Sequence, residues 1–419
     1  MRPIDLKTFW EEIHKGWSSF ENTVFDFKIN LLKKGTPHPG LYFSNCHFKE
    51  EVKFSEIEFN APVIFEDCIF DDSIHFKNSK FASNLVLDDI TSDFVYFHSG
   101  EFYFTSIKPT KVNFIQIEGG SFKNKLWITD ETQENSRILK NLTFNFDKVD
   151  GNIDIDLIKI EKILLSGINK SNFSLNDITA KELMFYRFFN AGYLTIDWWK
   201  RELNNSSLVI TNSNLKNVEI TNSDLAHLGK IEISASNLTD LSIINCSLKE
   251  TILSPDGLPL DEALRSQKDA YRQLKISMSR QGDKVNELKF HSLEMHTYFK
   301  MLSWKKNFWT KLILGYDKIT SNFNQNLKLA LFWLFFTHFL LYICLLKIFS
   351  YQGIEISYKN AEIKYFWAAL GDYLTLLIPT HKFTETAPSA AETIDFLMRF
   401  FSSIFIYNVI KVTRRFARG

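Results

Sequence analysis

Four cysteines (Cys46, Cys68, Cys246, Cys344), ten histidines and two helical glutamates, Glu287 and Glu294, are the residues whose types could do chemistry. Their spacing does not support it. The cysteines show no CxxC pair, which excludes a zinc-finger set and a disulfide scaffold. The histidines are scattered without metal-ligand spacing. Glu287 and Glu294 lie seven apart, with no histidine or nucleophile spaced to partner them, so they read as solvated helix charges. No Walker loop, GxGxxG, HExxH or GxSxG occurs. The sequence supports neither an enzyme nor a cofactor, and it offers no metal site. Three positions stand out by where they fall. His338 sits in the middle of a long apolar run. Asp395 and Arg399, four apart, share a helix face near the end of another run and form a candidate charge pair in the membrane.

The elements that position these residues follow from composition and period. The chain has 419 residues, with 49 Lys+Arg against 49 Asp+Glu. A net charge of zero argues against wholesale nucleic-acid binding. Forty phenylalanines against sixteen glycines and nine prolines point to a repetitive chain, a membrane-embedded one, or both. The first residues, MRPIDLKTFWEEIHKGW, are charged throughout and hold no apolar h-region, so the bulk of the chain is expected to be cytosolic. Residues 1–40 are expected to form a helical cap.

Phe43, Phe48, Phe54, Phe59, Phe65, Phe70, Phe76 and Phe81 are separated alternately by 5 and 6 residues, and Leu87 continues the series. The unit is eleven residues, as in FSNCHFKEEVK and FSEIEFNAPVI. A smaller inward column lies two residues before each large one from Phe48 onward: Cys46, Val52, Ile57, Val63, Cys68, Ile74, Ser79, Leu85. Period 3.6 cannot produce this, and a plain strand has period 2. The geometry that fits is a solenoid turning a corner about every five residues, with large and small side chains stacked coil upon coil.

A second block steps by five: Ile210, Leu215, Ile220, Leu225, then Ile233, Leu238, Ile243, Leu248 and Leu253, with one insertion near His227–Lys230. Its strings TNSNL, TNSDL, SASNL and INCSL resemble pentapeptide repeats, of which the first block is similar to the phenylalanine-centred variant. The resemblance implies a right-handed quadrilateral β-helix, here over residues 41–260. The second block is the stronger match to the pattern. Residues 131–203 fit neither block well and read as degenerate coils. Cys46, Cys68 and Cys246 fall in the small column and are packing residues.

Beyond Pro259 the period becomes helical, and residues 261–327 read as a helical hairpin followed by an interfacial helix. Leu264, Tyr271, Leu274 and Met278 share one face, Gly282 breaks the helix, and Asp283 caps the next. YRQLKISMSRQGDKVNELKFHSLEM resembles a hairpin of bacterial pentapeptide-repeat membrane proteins that precedes their spans. Trp304, Phe308 and Trp309 mixed with Lys305, Lys306 and Lys311 suit a helix in the headgroup region.

Residues 328–419 read as a membrane module. The stretches 329–349 and 394–413 are each long enough to cross about 30 Å of hydrocarbon. Basic residues precede the first span (Lys305, Lys306, Lys311, Lys318, Lys328) and follow the second (Lys411, Arg414, Arg415, Arg418), placing both termini in the cytosol of a bacterial inner membrane. Between them Phe366–Pro379 is too short to cross and reads as a re-entrant or interfacial helix. Span, short helix, span and a basic exit resemble the two-span ion-channel module. The resemblance implies a homo-oligomer, with four copies the leading number, and pore-lining candidates Thr375, Thr380, His381, Ser403, Tyr407 and Asn408. TLLIPTHKF replaces the glycine-rich filter of potassium channels, so potassium selectivity is not implied. The functional expectation is a channel-like protein in contact with membrane lipid, whose β-helix senses a protein or small-molecule trigger. The alternatives are a membrane-anchored scaffold, and a DNA mimic that protects topoisomerases. Residues 43–130 hold 14 acidic and 8 basic residues, a net charge of −6, too weak for a DNA-like rod, and the spans count against such a mimic.

Overall fold

Phenylalanine stacking explains the first half of the molecule. In the computed structural model, which describes residues 1–32, 38–130, 138–198, 206–351, 363–380 and 389–416, the chain winds into a parallel β-solenoid of about ten turns followed by membrane-length helices. Leu41 pairs Val63 and Val63 pairs Leu85, so one coil takes 22 residues, or two of the eleven-residue units. Each coil presents four large side chains to the axis. The rings of Phe43 and Phe65 stack at 4.8 Å, those of Phe48 and Phe70 at 4.7 Å, and those of Phe76 and Phe97 at 4.9 Å. These separations match the spacing of hydrogen-bonded strands, which is why one residue type can repeat up a column without strain. Neighbouring columns meet edge to face, as Phe43 and Phe48 do at 5.4 Å. Phe48, Phe59, Phe70 and Ile220 are buried as the spacing requires. Ile243 is only half-buried, because it stands in the final coil where its column ends.

The corners use a feature that the apolar spacing does not reveal. Asn45, Glu56, Asp67, Asn78 and Asp89, eleven residues apart, all have φ between 50° and 53°. Each immediately precedes an inward residue: Cys46, Ile57, Cys68, Ser79 or Ile90. Asn and Asp tolerate the left-handed conformation better than other non-glycine residues, so they mark where the chain turns. The inward thiols and hydroxyls then bond to backbone carbonyls; Cys68 Sγ donates to Glu66 O at 3.3 Å and Ser213 Oγ to Thr211 O at 2.8 Å. The adjacent Cys46 thiol and burial push the Cys68 thiol up, which keeps it protonated.

Two expectations are corrected. The first forty residues are not a helical cap alone. They hold one helix, α1 (Leu6–Lys15), and strands at Arg2–Ile4, Ser18–Glu21, Thr23–Phe25 and Ile29–Leu32 that pair with later coils. The coils of 138–198 are regular rather than degenerate: Ile163 pairs Leu183 and Ile153 pairs Phe173. There the coil shortens to 20 residues and aliphatic side chains replace most of the phenylalanines, so the backbone period survives while its marker residue is lost. A buried asparagine ladder takes one inward position, with Asn169 Nδ2 donating to Asn190 Oδ1 at 2.6 Å.

Helices close both ends of the stack. Phe9 of α1 is buried against the rings of Phe20, Phe25 and Phe27. At the other end α2 (Leu260–Gln281) turns Tyr271, Leu274 and Met278 inward and lays polar side chains on the last coil. Ser277 Oγ donates to Leu241 O at 2.6 Å, Gln281 Oε1 accepts from Ile243 N at 2.8 Å, and Gln267 Nε2 donates to Ile252 O at 2.7 Å.

The chain divides into two compact units, Met1–Gln281 and Gly282–Gly419. The boundary splits the helical pair expected from the sequence. Gly282, at φ 78°, ends α2. Asp283 caps α3 (Lys284–Met301) by accepting from Asn286 N at 3.0 Å. The second unit continues with α4 (Phe308–Ser321), α5 (Leu327–Tyr351), α6 (Ile363–Leu377) and α7 (Ser389–Phe416).

Candidate functional site

Apolar length sets the character of the second unit. Leu327–Ile348 and Ser389–Arg414, 22 and 26 residues, are long and apolar enough to cross a membrane. The fifteen-residue α6 reaches about 22 Å and is too short to do so.

The two long helices pack along seams read at spacings of three and four. On α5 the buried positions are Ala330, Leu334, His338, Tyr342 and Leu345. On α7 they run from Ala391 through Asp395, Met398, Ser402, Phe405 and Asn408 to Val412. Small side chains at Ala330, Ala391 and Ser402 let the helices approach, as transmembrane pairs require. Tyr342, Leu345, Ala391 and Met398 form a core against which Tyr373 and Leu376 of α6 also pack.

Every strongly polar group on these seams has a partner inside the same chain. His338 is 2% exposed. Its Nε2 stands 3.1 Å from the Tyr373 carbonyl of α6, and its Nδ1 stands 3.3 Å from Ser402 Oγ of α7. One imidazole thus ties three helices at one depth, and the Tyr373 hydroxyl returns a bond to Phe335 O at 2.9 Å. Asn408 is 4% exposed, and its amide donates to Tyr316 Oη at 2.9 Å and Thr320 Oγ1 at 3.4 Å, tying α7 to α4. Burial pushes the Tyr316 phenol up, which keeps it neutral. Arg399 Nε lies 2.8 Å from Asp395 Oδ2, so the charge pair is formed.

The other sequence-derived candidates fall elsewhere. Ser403 Oγ donates back to Arg399 O at 2.7 Å on its own helix, and Tyr407 is 63% exposed. These two share the outward face of α7 with Phe396, Phe400 and Ile410, on the side of the helix opposite the buried seam. Thr375 is exposed and donates to Gly371 O at 2.8 Å; Thr380 lies in the turn after α6. His381 lies outside the described residues. Tyr316, Thr320 and Tyr373 are site residues that the apolar spacing does not pick out. Tyr316 and Thr320 carry one signal, two hydroxyls one turn apart on an amphipathic helix; Tyr373 carries none. We expect Asn408→Leu to remove about 1 kcal/mol of helix-pairing stability, read as a lower thermal midpoint in mild detergent; an unchanged midpoint would show that the α4–α7 contact does not matter.

Before the first span, α4 turns Trp309, Ile313 and Ile319 outward. Lys311 Nζ caps Leu302 O at 2.6 Å while lying 5.0 Å from the Phe299 ring centroid and 5.2 Å from that of Trp304.

On the solenoid, opposite charges pair across coils, as Lys80 does with Glu58 at 2.7 Å and Lys181 with Glu161 at 2.8 Å. Burial and its bond to Glu118 push Tyr96 up to about 12. Ile168 and Phe189, register partners on adjacent coils, are both exposed. Among the described residues no group of three or more His, Cys, Asp or Glu is placed to hold a metal.

Comparison with known proteins gives one family. A family model described as pentapeptide repeats (nine copies) matches residues 43–91. The match falls on the phenylalanine-centred block, whereas the sequence pattern favoured the second. No curated protein and no solved structure matches the chain. Residues 43–91 thus match pentapeptide repeats, and the parallel strand register runs on from them to Ile244 as one continuous solenoid.

Proposed function

We propose that the chain is a channel-like membrane protein, in which copies of the second unit assemble around the outward face of α7 and the solenoid receives the controlling signal in the cytosol of a bacterium. The observation that supports this is the double use of α7. One face is consumed inside the chain, with His338, Ser402 and Asn408 bonded in its seams. The opposite face carries Phe396, Phe400, Ser403, Tyr407 and Ile410 outward at the same spacing. A tether needs only one seam; a second regular face, with hydroxyls one turn apart, suits an axis shared by several copies. Two spans per chain cannot enclose a water path, so closed symmetry follows, four copies being the leading number. Phenylalanines on either side of the hydroxyls would gate such a path by dewetting. The trigger is a protein or small molecule bound by the solenoid, and the proposal gives the chain no enzymatic role.

A scaffold without conduction is the second reading, and the exposed Ile168–Phe189 pair favours it as a docking patch. One experiment separates the two. Purified protein is sized in mild detergent and then recorded in planar bilayers, with Tyr407→Leu as the test variant. A ring-forming oligomer whose current changes in Tyr407→Leu is the expected result. A monomer, or bilayers silent under every cytosolic extract applied, would end the channel reading.

A further inference from the structure

Beside its seam, α5 carries Phe332, Phe335, Phe336 and Phe339 exposed. With Tyr342 and with Leu370 and Tyr373 of α6 they line an open groove of about 630 Å³. That volume lies within the range of small-molecule sites. We propose that this groove is a binding site for one acyl chain of a membrane phospholipid.

Three observations carry the choice of occupant. The wall is hydrocarbon almost throughout: the Tyr373 hydroxyl is spent on Phe335 O, and the Phe332 and Phe336 rings stack at 5.4 Å to form one side. A ligand with polar groups at this depth would leave them unbonded, which is costly without water. The groove is also centred in its span. Phe332 to Tyr342 covers about 15 Å across the middle of Leu327–Ile348, the depth reached by the distal half of an acyl chain and out of reach of headgroups. The third observation excludes a second copy of the chain. Helices associate in membranes through small residues that let backbones close up, and this face offers four phenylalanines instead. α6, too short to cross, supplies the far wall, held against α5 by His338, by the Tyr373 hydroxyl on Phe335 O and by packing against Tyr342.

The inference rests on α5 crossing the membrane and is independent of conduction. The full-length protein is reconstituted in phosphatidylethanolamine–phosphatidylglycerol vesicles doped with a phospholipid carrying a diazirine halfway along one chain. After illumination, adducts are mapped by mass spectrometry. We expect them to concentrate on Phe332, Phe335, Phe336, Phe339, Leu370 and Tyr373, above the level on Leu340 and Cys344, exposed α5 positions outside the groove that serve as the general lipid-facing control. Leu370→Trp should cut the groove adducts several-fold and leave the control unchanged. Leu370→Phe serves if the larger residue prevents folding. Equal labelling of groove and control positions, or groove adducts indifferent to both variants, would overturn the site. Disulfide-linked dimers as the main product of Phe336→Cys would assign the face to a second copy. Labelling of neither set would remove the membrane reading itself, an outcome distinct from the other two.

Discussion

Phe65→Ala is expected to cost about 3–5 kcal/mol of stability, the range for deleting a fully buried phenylalanine from a packed core. The solenoid gives no easy way to refill the hole. Phe65 is 0% exposed and stacks on Phe43 at 4.8 Å with the planes 7° apart. It also meets Phe48, Phe54 and Phe70 edge-on at 5.6 to 6.1 Å. Each of those rings is held in its own column by backbone register, so none can move sideways without breaking a second stack. Coils touch only their neighbours, so the loss falls on the two interfaces that Phe65 makes with Phe43 and Leu87. The matched control is Phe189→Ala. That side chain is 53% exposed, and its removal should stay within about 0.5 kcal/mol. Urea unfolding of the detergent-solubilised chain, followed by the β-sheet circular dichroism band, measures both. Equal midpoints for the two variants would contradict the inward columns.

The second large effect is expected at the charge pair, and it is asymmetric. Asp395 is buried with its side chain 7% accessible, while Arg399 keeps 35%. Arg399→Leu takes the guanidinium from a carboxylate that stays in the seam. The expected cost is about 3–5 kcal/mol, the range for breaking a buried pair from one side. Asp395→Leu should cost less, since the arginine can swing its head group towards the membrane surface. The double variant should recover most of the loss, because two apolar side chains leave no charge to desolvate. Thermal midpoints of the four proteins in one detergent form the cycle. If Arg399→Leu and Asp395→Leu lose the same amount and the double variant loses their sum, the residues do not act as a pair.

Large apolar side chains made much of the fold legible. The spacing of Phe43 to Phe81 predicts the solenoid because inward positions on a stacked coil accept few residue types. The two membrane-length helices are legible for a similar reason, since long uninterrupted apolar runs leave few other readings. Where coils are built from isoleucine and leucine, as around Ile163 and Leu183, the period is carried by backbone pairing, and the side chains no longer announce it. The corner asparagines were missed because their signal is a positive φ, which spacing of apolar residues cannot show. The site was less readable than the fold. Ser403 and Tyr407 are assigned to one face by helix geometry alone. That Asn408 is turned towards Tyr316 depends on where α4 returns against α7, a long-range fact that no local pattern holds. His338 could be read as a packed histidine, but its partners come from residues 35 and 64 positions away.

The side chains that α2 lays on the last coil decide how such molecules behave in a crowd. A parallel solenoid ends in a row of backbone donors and acceptors equivalent to the exposed edge of a sheet, and such an edge can recruit another chain and grow. Here Gln281 and Ser277 occupy those groups at Ile243 and Leu241, so glutamine and serine stand in for the strand that would otherwise dock. With the opposite opening plugged by Phe9, the coil number is fixed by covalent length rather than by supply of subunits. Aromatic columns that would suit a fibre are thereby confined to a stack of finite length, and neighbouring copies do not polymerise end to end through these edges.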